Sequence, residues 1–348
     1  MPQLIEPHLL FDWARELGKE HPFWDVHVHP FEVLTGDVAF LEHEKIEGLF
    51  SKPGSVYHPP IAKMDIEPED EALEISPGSS RAYLLASRLK YTHIGHKVIT
   101  DQLKTAGLSG ALLLPVARIR DAAQAMLEAT AEMFSGDDHL IPGCAFPVRV
   151  PANELTRFFI TAHDRYRIRA IKVHPNLAGI NPLTSAGRDL IEATLEVAGK
   201  LDLPVVVHSG RTAVLRPSYE SEYGTLQRLE TINWSLSAAP VILAHAGCHD
   251  LTEEEARVAL SRLNLLFQKH PNLMANTSNL APSIQRLVLE KVDRSRLLFG
   301  SDALYVPIWK AWLQFLHTLR NVSYSPDHDL IRMASLNPMQ CLGLLKTT

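Results

Sequence analysis

The sequence predicts an α/β fold, a (β/α)8 TIM-like barrel with a long insertion after strand one. Three observations carry this. Eight short apolar runs recur along the chain. Longer amphipathic stretches alternate with them. Histidines and other chemically distinctive residues gather just past the ends of several runs. Alternation of this kind gives parallel strands joined by crossover helices, and a barrel collects its functional groups at the C-terminal strand ends.

The runs are 23–28 (FWDVHV), 111–116 (ALLLPV), 140–146 (LIPGCAF) and 169–174 (RAIKVH), then 204–208 (PVVVH), 240–245 (PVILAH), 272–276 (NLMAN) and 296–301 (RLLFGS). Their near-continuous Val, Ile and Leu content suits strands buried on both faces. Pro204 and Pro240 fall at strand starts, where a proline costs least. Helical patterns cover 94–107, 121–134, 153–166, 185–201, 222–237, 252–269 and 282–292, with a terminal helix over 327–345. Ser185 and Thr252 read as capping residues, the latter followed by Glu253, Glu254 and Glu255 in the first turn. A barrel of this type needs about 250 residues. The chain has 348, and the excess falls at 31–91, which shows little strand pattern and holds Pro53, Pro59, Pro60, Pro68 and Pro77. Residues 1–348 are therefore read as one barrel domain carrying that insertion.

Composition narrows the function. Hydrophobic residues make up 46% and charged residues 21%, an ordinary globular balance that excludes wholesale disorder. Lys and Arg number 34 against 40 Asp and Glu, a net charge of −6, so no basic excess draws in a nucleic acid. Cys144, Cys248 and Cys341 are widely separated and form no CxxC pair, which argues against a disulfide framework and for a reducing compartment. No run approaches 18 apolar residues, and the first residues carry no signal-peptide core. The expectation is a cytoplasmic protein without a membrane partner. The 17 histidines ask for an explanation, as idle surface groups or as metal ligands.

The strand ends supply one. In the first run, period-2 geometry puts His27 and His29 on one face and Val26 and Val28 on the other, so two imidazoles can grip one cation. The fourth run places Lys172 and His174 on one face. A lysine inside a barrel is costly unless paired, neutral or modified. It either bonds a carboxylate, or serves chemistry as a carbamylated metal bridge or an anion binder. His208 and His245 close the fifth and sixth runs, after Val, Leu, Ile and Ala. Asp302 follows the eighth, where a carboxylate can bind metal and accept a proton from metal-bound water. Its neutral alternative is a helix cap. Arg211, just past the fifth run, could pair bidentately with a substrate carboxylate.

The motifs DVHVHP, IKVHP, VVVHSG, ILAHAG and LLFGSD, in that order and followed by NPMQCLGL, resemble those of the amidohydrolase superfamily, and within it the amidohydrolase-2 branch that includes aminocarboxymuconate-semialdehyde decarboxylase. The resemblance runs from residue 23 to the terminal helix. It implies that His27, His29, His208 and Asp302 bind one metal, usually zinc, although His/Asp sites also take Mn, Fe or Co. It implies that His245 is the acid/base of a one-metal site or a ligand of a second ion. Lys172 would ligate that second ion if carbamylated, as in binuclear relatives. His174 fits neither ligand set and is expected on the substrate. The resemblance implies a hydrolase that uses metal-bound water to cleave a small-molecule amide, ester or lactone, with Asp302 taking the proton. The alternative is non-oxidative decarboxylation of an unsaturated or aromatic carboxylic acid, with His245 managing the proton at carbon. A nuclease of similar barrel type would carry a glutamate where Lys172 stands, and a noncatalytic barrel would show an eroded ligand set. The partner expected is a small molecule, with a carboxylate in view, and homo-oligomerisation is left open.

Overall fold

A computed structural model describes residues 6–30, 96–116, 123–124, 127–128, 130–131, 136–148, 150–212, 218–303 and 306–345. The expected insertion at 31–91, and much of the expected helix at 121–134, lie outside them.

The strands are β1 (Trp24–Val28), β2 (Gly110–Leu113), β3 (Leu140–Pro142), β4 (Cys144–Ala145), β5 (Ile171–Val173), β6 (Val205–Val207), β7 (Val241–Leu243), β8 (Leu273–Asn276) and β9 (Leu297–Leu298). Sequential neighbours pair in parallel, β1 to β3 in one set and β4 to β9 in the other. The expected third strand is thus two. Pro142 has no N–H to give, and Gly143 donates to the Leu113 carbonyl while Cys144 donates to Ala170, so the run changes partners at the glycine. A Cβ on Gly143 would sit 2.6 Å from the Leu113 oxygen.

First and last strands are joined as well. Val26 N–H donates to Phe299 O (3.2 Å), Asp302 N–H to His27 O (2.8 Å) and His29 N–H to Ala303 O (2.9 Å). The fold is the (β/α)8 TIM-type barrel. Trp24, Val26, Leu112, Leu114, Ile141, Ala170, Val206, Ile242, Ala244 and Leu298 form one buried cluster, drawn from strands around the whole ring, which is the barrel interior. Val28 belongs to the other cluster, between strands and helices. The expected face shared by Val26 and Val28 therefore does not form. The β1–β2 register shifts between Asp25 and Val28, and such an irregularity interrupts the alternation of faces.

Helices Ala152–Tyr166, Ser185–Lys200, Glu253–Lys269 and Pro282–Lys291 lie where expected. Thr252 makes a capping box with Glu255. The cap of Ser185–Lys200 is Thr184, whose hydroxyl accepts from Gly187 N–H, rather than Ser185. The single helix expected at 222–237 is instead three short turns, Tyr219–Glu222, Leu226–Leu229 and Trp234–Leu236. Their buried Leu226, Leu229, Ile232 and Trp234 anchor them without a continuous helical stripe, and Gly224 packs too closely on Asn176 to admit a side chain. The terminal segment is also divided, into Pro326–Ile331, a π turn Arg332–Leu336 and Asn337–Cys341. Pro338 lacks the N–H that an unbroken α-helix requires there. Helix Ile308–Val322, strongly amphipathic and packed by Trp312 on Phe23 and Phe299, was not anticipated. Among the described residues no helix is long and apolar enough to cross a membrane.

Candidate metal centre

The ends of β1, β5, β6, β7 and the segment after β9 bring their side chains to one buried place. His27, His29, Lys172, His208, His245 and Asp302 are all at most 4% exposed. His29 Nε2 lies 3.2 Å from His27 Nε2 and 3.0 Å from Asp302 Oδ1, and His27 Nε2 lies 3.2 Å from that same oxygen. Ligand atoms of His27, His245 and Asp302 fall within 4.8 Å of one another. Lys172 Nζ is 2.7 Å from His27 Nε2.

Hydrogen bonds outside this group decide which ring nitrogens carry protons. His29 Nδ1 sits 2.6 Å from the Leu114 carbonyl, and only an N–H can face a carbonyl, so Nε2 is the nitrogen turned toward His27 and Asp302. His245 Nδ1 is fixed in the same way by the Ser278 carbonyl at 2.8 Å. The Ser278 hydroxyl donates to Asn276 Oδ1 (2.6 Å), which leaves its oxygen to accept from His27 Nδ1 at 2.9 Å. Asn276 Nδ2 also lies 3.2 Å from His27 Nδ1, and Lys172 Nζ lies 2.7 Å from its Nε2. Two imidazole Nε2 atoms and a carboxylate oxygen thus face one another at 3.0–3.2 Å. A divalent cation is a group that all three could share. Carbonyl-oriented imidazoles beside a buried carboxylate are the donor set and outer support of a divalent metal site.

The electrostatics agree. Burial holds the pKa values of His27, His208 and His245 well below the usual imidazole value, with nearby positive groups adding to it, so all three are neutral donors. Burial works to raise that of Asp302, but the imidazoles of His27, His245 and His29 outweigh it and keep the carboxylate ionised. Asn279 Nδ2 donates to its second oxygen at 3.0 Å. His245 and Asp302 both hold left-handed backbone (φ 58° and 63°), a conformation that costs side-chain-bearing residues on the order of 1–3 kcal/mol and concentrates at functional sites. Asn276 Oδ1 accepts from His245 N–H at 3.0 Å and steadies that turn.

His208 stands beside this group rather than within its tightest part. Its ring stacks on His174 (3.9 Å, 8°) and lies 4.9 Å from His245. Its Nε2 is 3.1 Å from the Arg211 carbonyl, so Nδ1 carries the lone pair. His174 Nδ1 accepts from Leu177 N–H (3.4 Å), which leaves Nε2–H as the donor of the ring. Arg211 differs from its expected setting: Nε pairs with Glu222 (2.8 Å) and Nη1 with Glu255 (2.7 Å). The sequence reading overlooked Ser278, Asn276, the Leu114 carbonyl and His249, whose ring lies 4.6 Å from His245. His249 follows ILAHAGC in the sequence and was open to notice; a backbone carbonyl leaves no trace in residue type.

A family model described as amidohydrolase matches residues 24–344. No curated protein matches the chain. Among solved structures it is similar to a dihydroxybenzoic acid decarboxylase from Polaromonas with bound manganese and the inhibitor 2-nitroresorcinol (11% identity, TM-score 0.60, covering 94% of this chain and 98% of that one). It is also similar to 5-carboxyvanillate decarboxylase from Sphingomonas paucimobilis (13%, 0.59, 92% and 99%), and to 4-oxalomesaconate hydratase from Rhodopseudomonas palustris (14%, 0.51, 93% and 96%). At these identities the likeness speaks for the fold. The family match, over nearly the whole chain and through every strand end described above, makes this protein a member of the amidohydrolase-2 branch of the amidohydrolase superfamily, a metal-dependent enzyme family.

Proposed function

We propose that the protein is a metal-dependent, non-oxidative decarboxylase of an unsaturated or aromatic carboxylic acid. The observation that carries the metal is the buried meeting of His27 Nε2, His29 Nε2 and Asp302 Oδ1 within 3.0–3.2 Å of one another. The reaction class is supported by the two decarboxylases whose folds match at nearly full length on both sides. Hydrolysis of an amide, ester or lactone is the second reading, favoured by the same donor set.

In this reading His27, His29, His208 and Asp302 would hold one divalent ion, zinc or manganese, and Lys172, whose Nζ lies 2.7 Å from His27 Nε2, would stand outside the ligand set. When bound, the ion supplies positive charge that fixes the substrate carboxylate and balances charge growing beside it. His245 is the acid/base group. Its lowered pKa makes its imidazolium a strong acid, suited to protonating a carbon. Neutral in the free protein, His245 would take up a proton from solvent and deliver it to the carbon that bears the carboxylate. The bond from that carbon to the carboxylate then breaks, its electrons return to the unsaturated system, and CO2 leaves. His174 offers Nε2–H to an oxygen of the substrate. Burial of the whole group excludes water that would compete for the carbon.

Isotopes separate the two readings. Metal-loaded protein is incubated with hydroxybenzoates, unsaturated dicarboxylates, lactones and amides in D2O and, separately, in 18O water. Decarboxylation gives CO2 and a product with one deuterium at the vacated carbon. Products carrying solvent 18O, with no CO2, would replace the proposal with hydrolysis.

A further inference from the structure

Arg211 lies where the segment after β6, the turn Tyr219–Glu222 and the first turn of helix Glu253–Lys269 meet. We infer that Arg211 is a positioning residue: its guanidinium, clamped by Glu222 and Glu255, fixes a backbone carbonyl that sets the tautomers of His208 and His249. The inference deepens the function proposed above, and its first readout needs neither metal nor substrate.

The Arg211 carbonyl accepts two imidazole N–H groups, from His249 Nδ1 at 2.8 Å and His208 Nε2 at 3.1 Å. Its own N–H donates to the His249 carbonyl at 2.9 Å. Gly210 makes this approach feasible: it has φ 121°, and a Cβ there would stand 2.6 Å from His249 N. One peptide unit thus fixes two rings of a triangle, with His208, His245 and His249 centroids 4.6–5.1 Å apart.

The side chain explains why that peptide stays put. Nε to Glu222 and Nη1 to Glu255 tie it to two other elements. Such part-exposed pairs contribute little stability. Their consequence is geometric: two carboxylates on one rigid fork define its plane and so the chain that carries it. Two carboxylates also more than neutralise the guanidinium, which makes Arg211 a poor receptor for a third from substrate.

The test compares Arg211→Met, Arg211→Lys and the double variant Glu222→Gln/Glu255→Gln with the wild type. The glutamine at 255 keeps the capping box, which accepts either residue. Long-range 1H–15N spectra of metal-free, histidine-labelled protein read the tautomers, and a competition titration reads Zn(II) affinity. In Arg211→Met and in the double variant, His208 and His249 should lose their single-tautomer signatures. Zn(II) should bind about 10–100-fold more weakly, the usual loss when an outer-shell partner is removed. Arg211→Lys should recover part of both. With whichever carboxylate the wild type turns over, KM should move less than about threefold while kcat falls. Unchanged tautomers in folded Arg211→Met or in the double variant would overturn the inference. So would a tenfold or larger rise in KM with tautomers and Zn(II) affinity intact, the pattern of a substrate clamp. A wild type that binds no Zn(II) would count against the proposed metal site alone, because the tautomer signals would still decide this question.

Discussion

His245 is held in left-handed backbone by Asn276, its Nδ1–H is fixed on the Ser278 carbonyl, and its ring touches those of His27 and His208. That placement suits a group that works on substrate beside the ion. His245→Asn should therefore lower kcat by about 10²–10⁴-fold while leaving bound metal unchanged, with assay and metal content read on one sample. Loss of metal in step with activity would make His245 a ligand. Lys172 gives a second expectation at this scale. Its Nζ lies 2.7 Å from His27 Nε2, and on the one-metal proposal Lys172→Ala should leave metal content near one equivalent by elemental analysis. A fall from two equivalents towards one would restore the carbamylated bridge. The residues proposed as ligands stand out in the sequence because each lies at the end of an apolar strand, where an idle polar group is expensive. What orients them was not, since Ser278, Asn276 and the Leu114 and Arg211 carbonyls look like ordinary strand and loop residues until the chain is folded.

Between elements, the seam from β1 to β9 carries the proposed ligands His27, His29 and Asp302, and one side chain stitches it. Asp25 Oδ1 accepts from both His27 N–H and Ser301 N–H at 3.0 Å. Asp25→Ala would strand two buried donors, a loss of about 2–5 kcal/mol from the usual penalty per unsatisfied group, read as a lower urea midpoint. A change below about 0.5 kcal/mol, typical of an uninvolved surface site, would show the stitch to be idle. The seam also explains what sequence pattern caught and missed among elements. Eight apolar runs sufficed to give the barrel, because parallel strands buried on both faces are near-continuous in Val, Ile and Leu. Pattern failed where local chemistry interrupts it: at Gly143, where one strand becomes two, at Gly224, inside what reads as one helix, and in β1, where a register shift undoes strict alternation.

For the whole molecule, the buried imidazoles make acid the destabilising direction before metal is added. Burial holds His27, His174, His208 and His245 below the ordinary value near 6.5, so below that pH the unfolded chain binds protons that the folded chain refuses. Asp25 acts in the opposite sense: burial lifts it from 3.8 to about 7, and between those values the folded chain keeps a proton that the unfolded chain loses. Four groups against one leave a net uptake of about three protons on unfolding. Stability of the metal-free protein should fall steeply as pH drops from about 6.5 towards 5, by up to ~4 kcal/mol per unit. Urea midpoints that stay flat over that range would mean the histidines are not buried together as described.

The central claim is that this buried imidazole and carboxylate cluster holds a metal required for decarboxylation. Its most direct test is to strip the protein with a chelator, reload it with measured amounts of Zn(II) or Mn(II), and follow CO2 release from the carboxylic acid that the untreated protein consumes. Stripped protein should release none, and recovery should rise in proportion to added metal and level off near one equivalent. Full CO2 release from metal-free protein, or substrate consumption without CO2 at any metal loading, would contradict it.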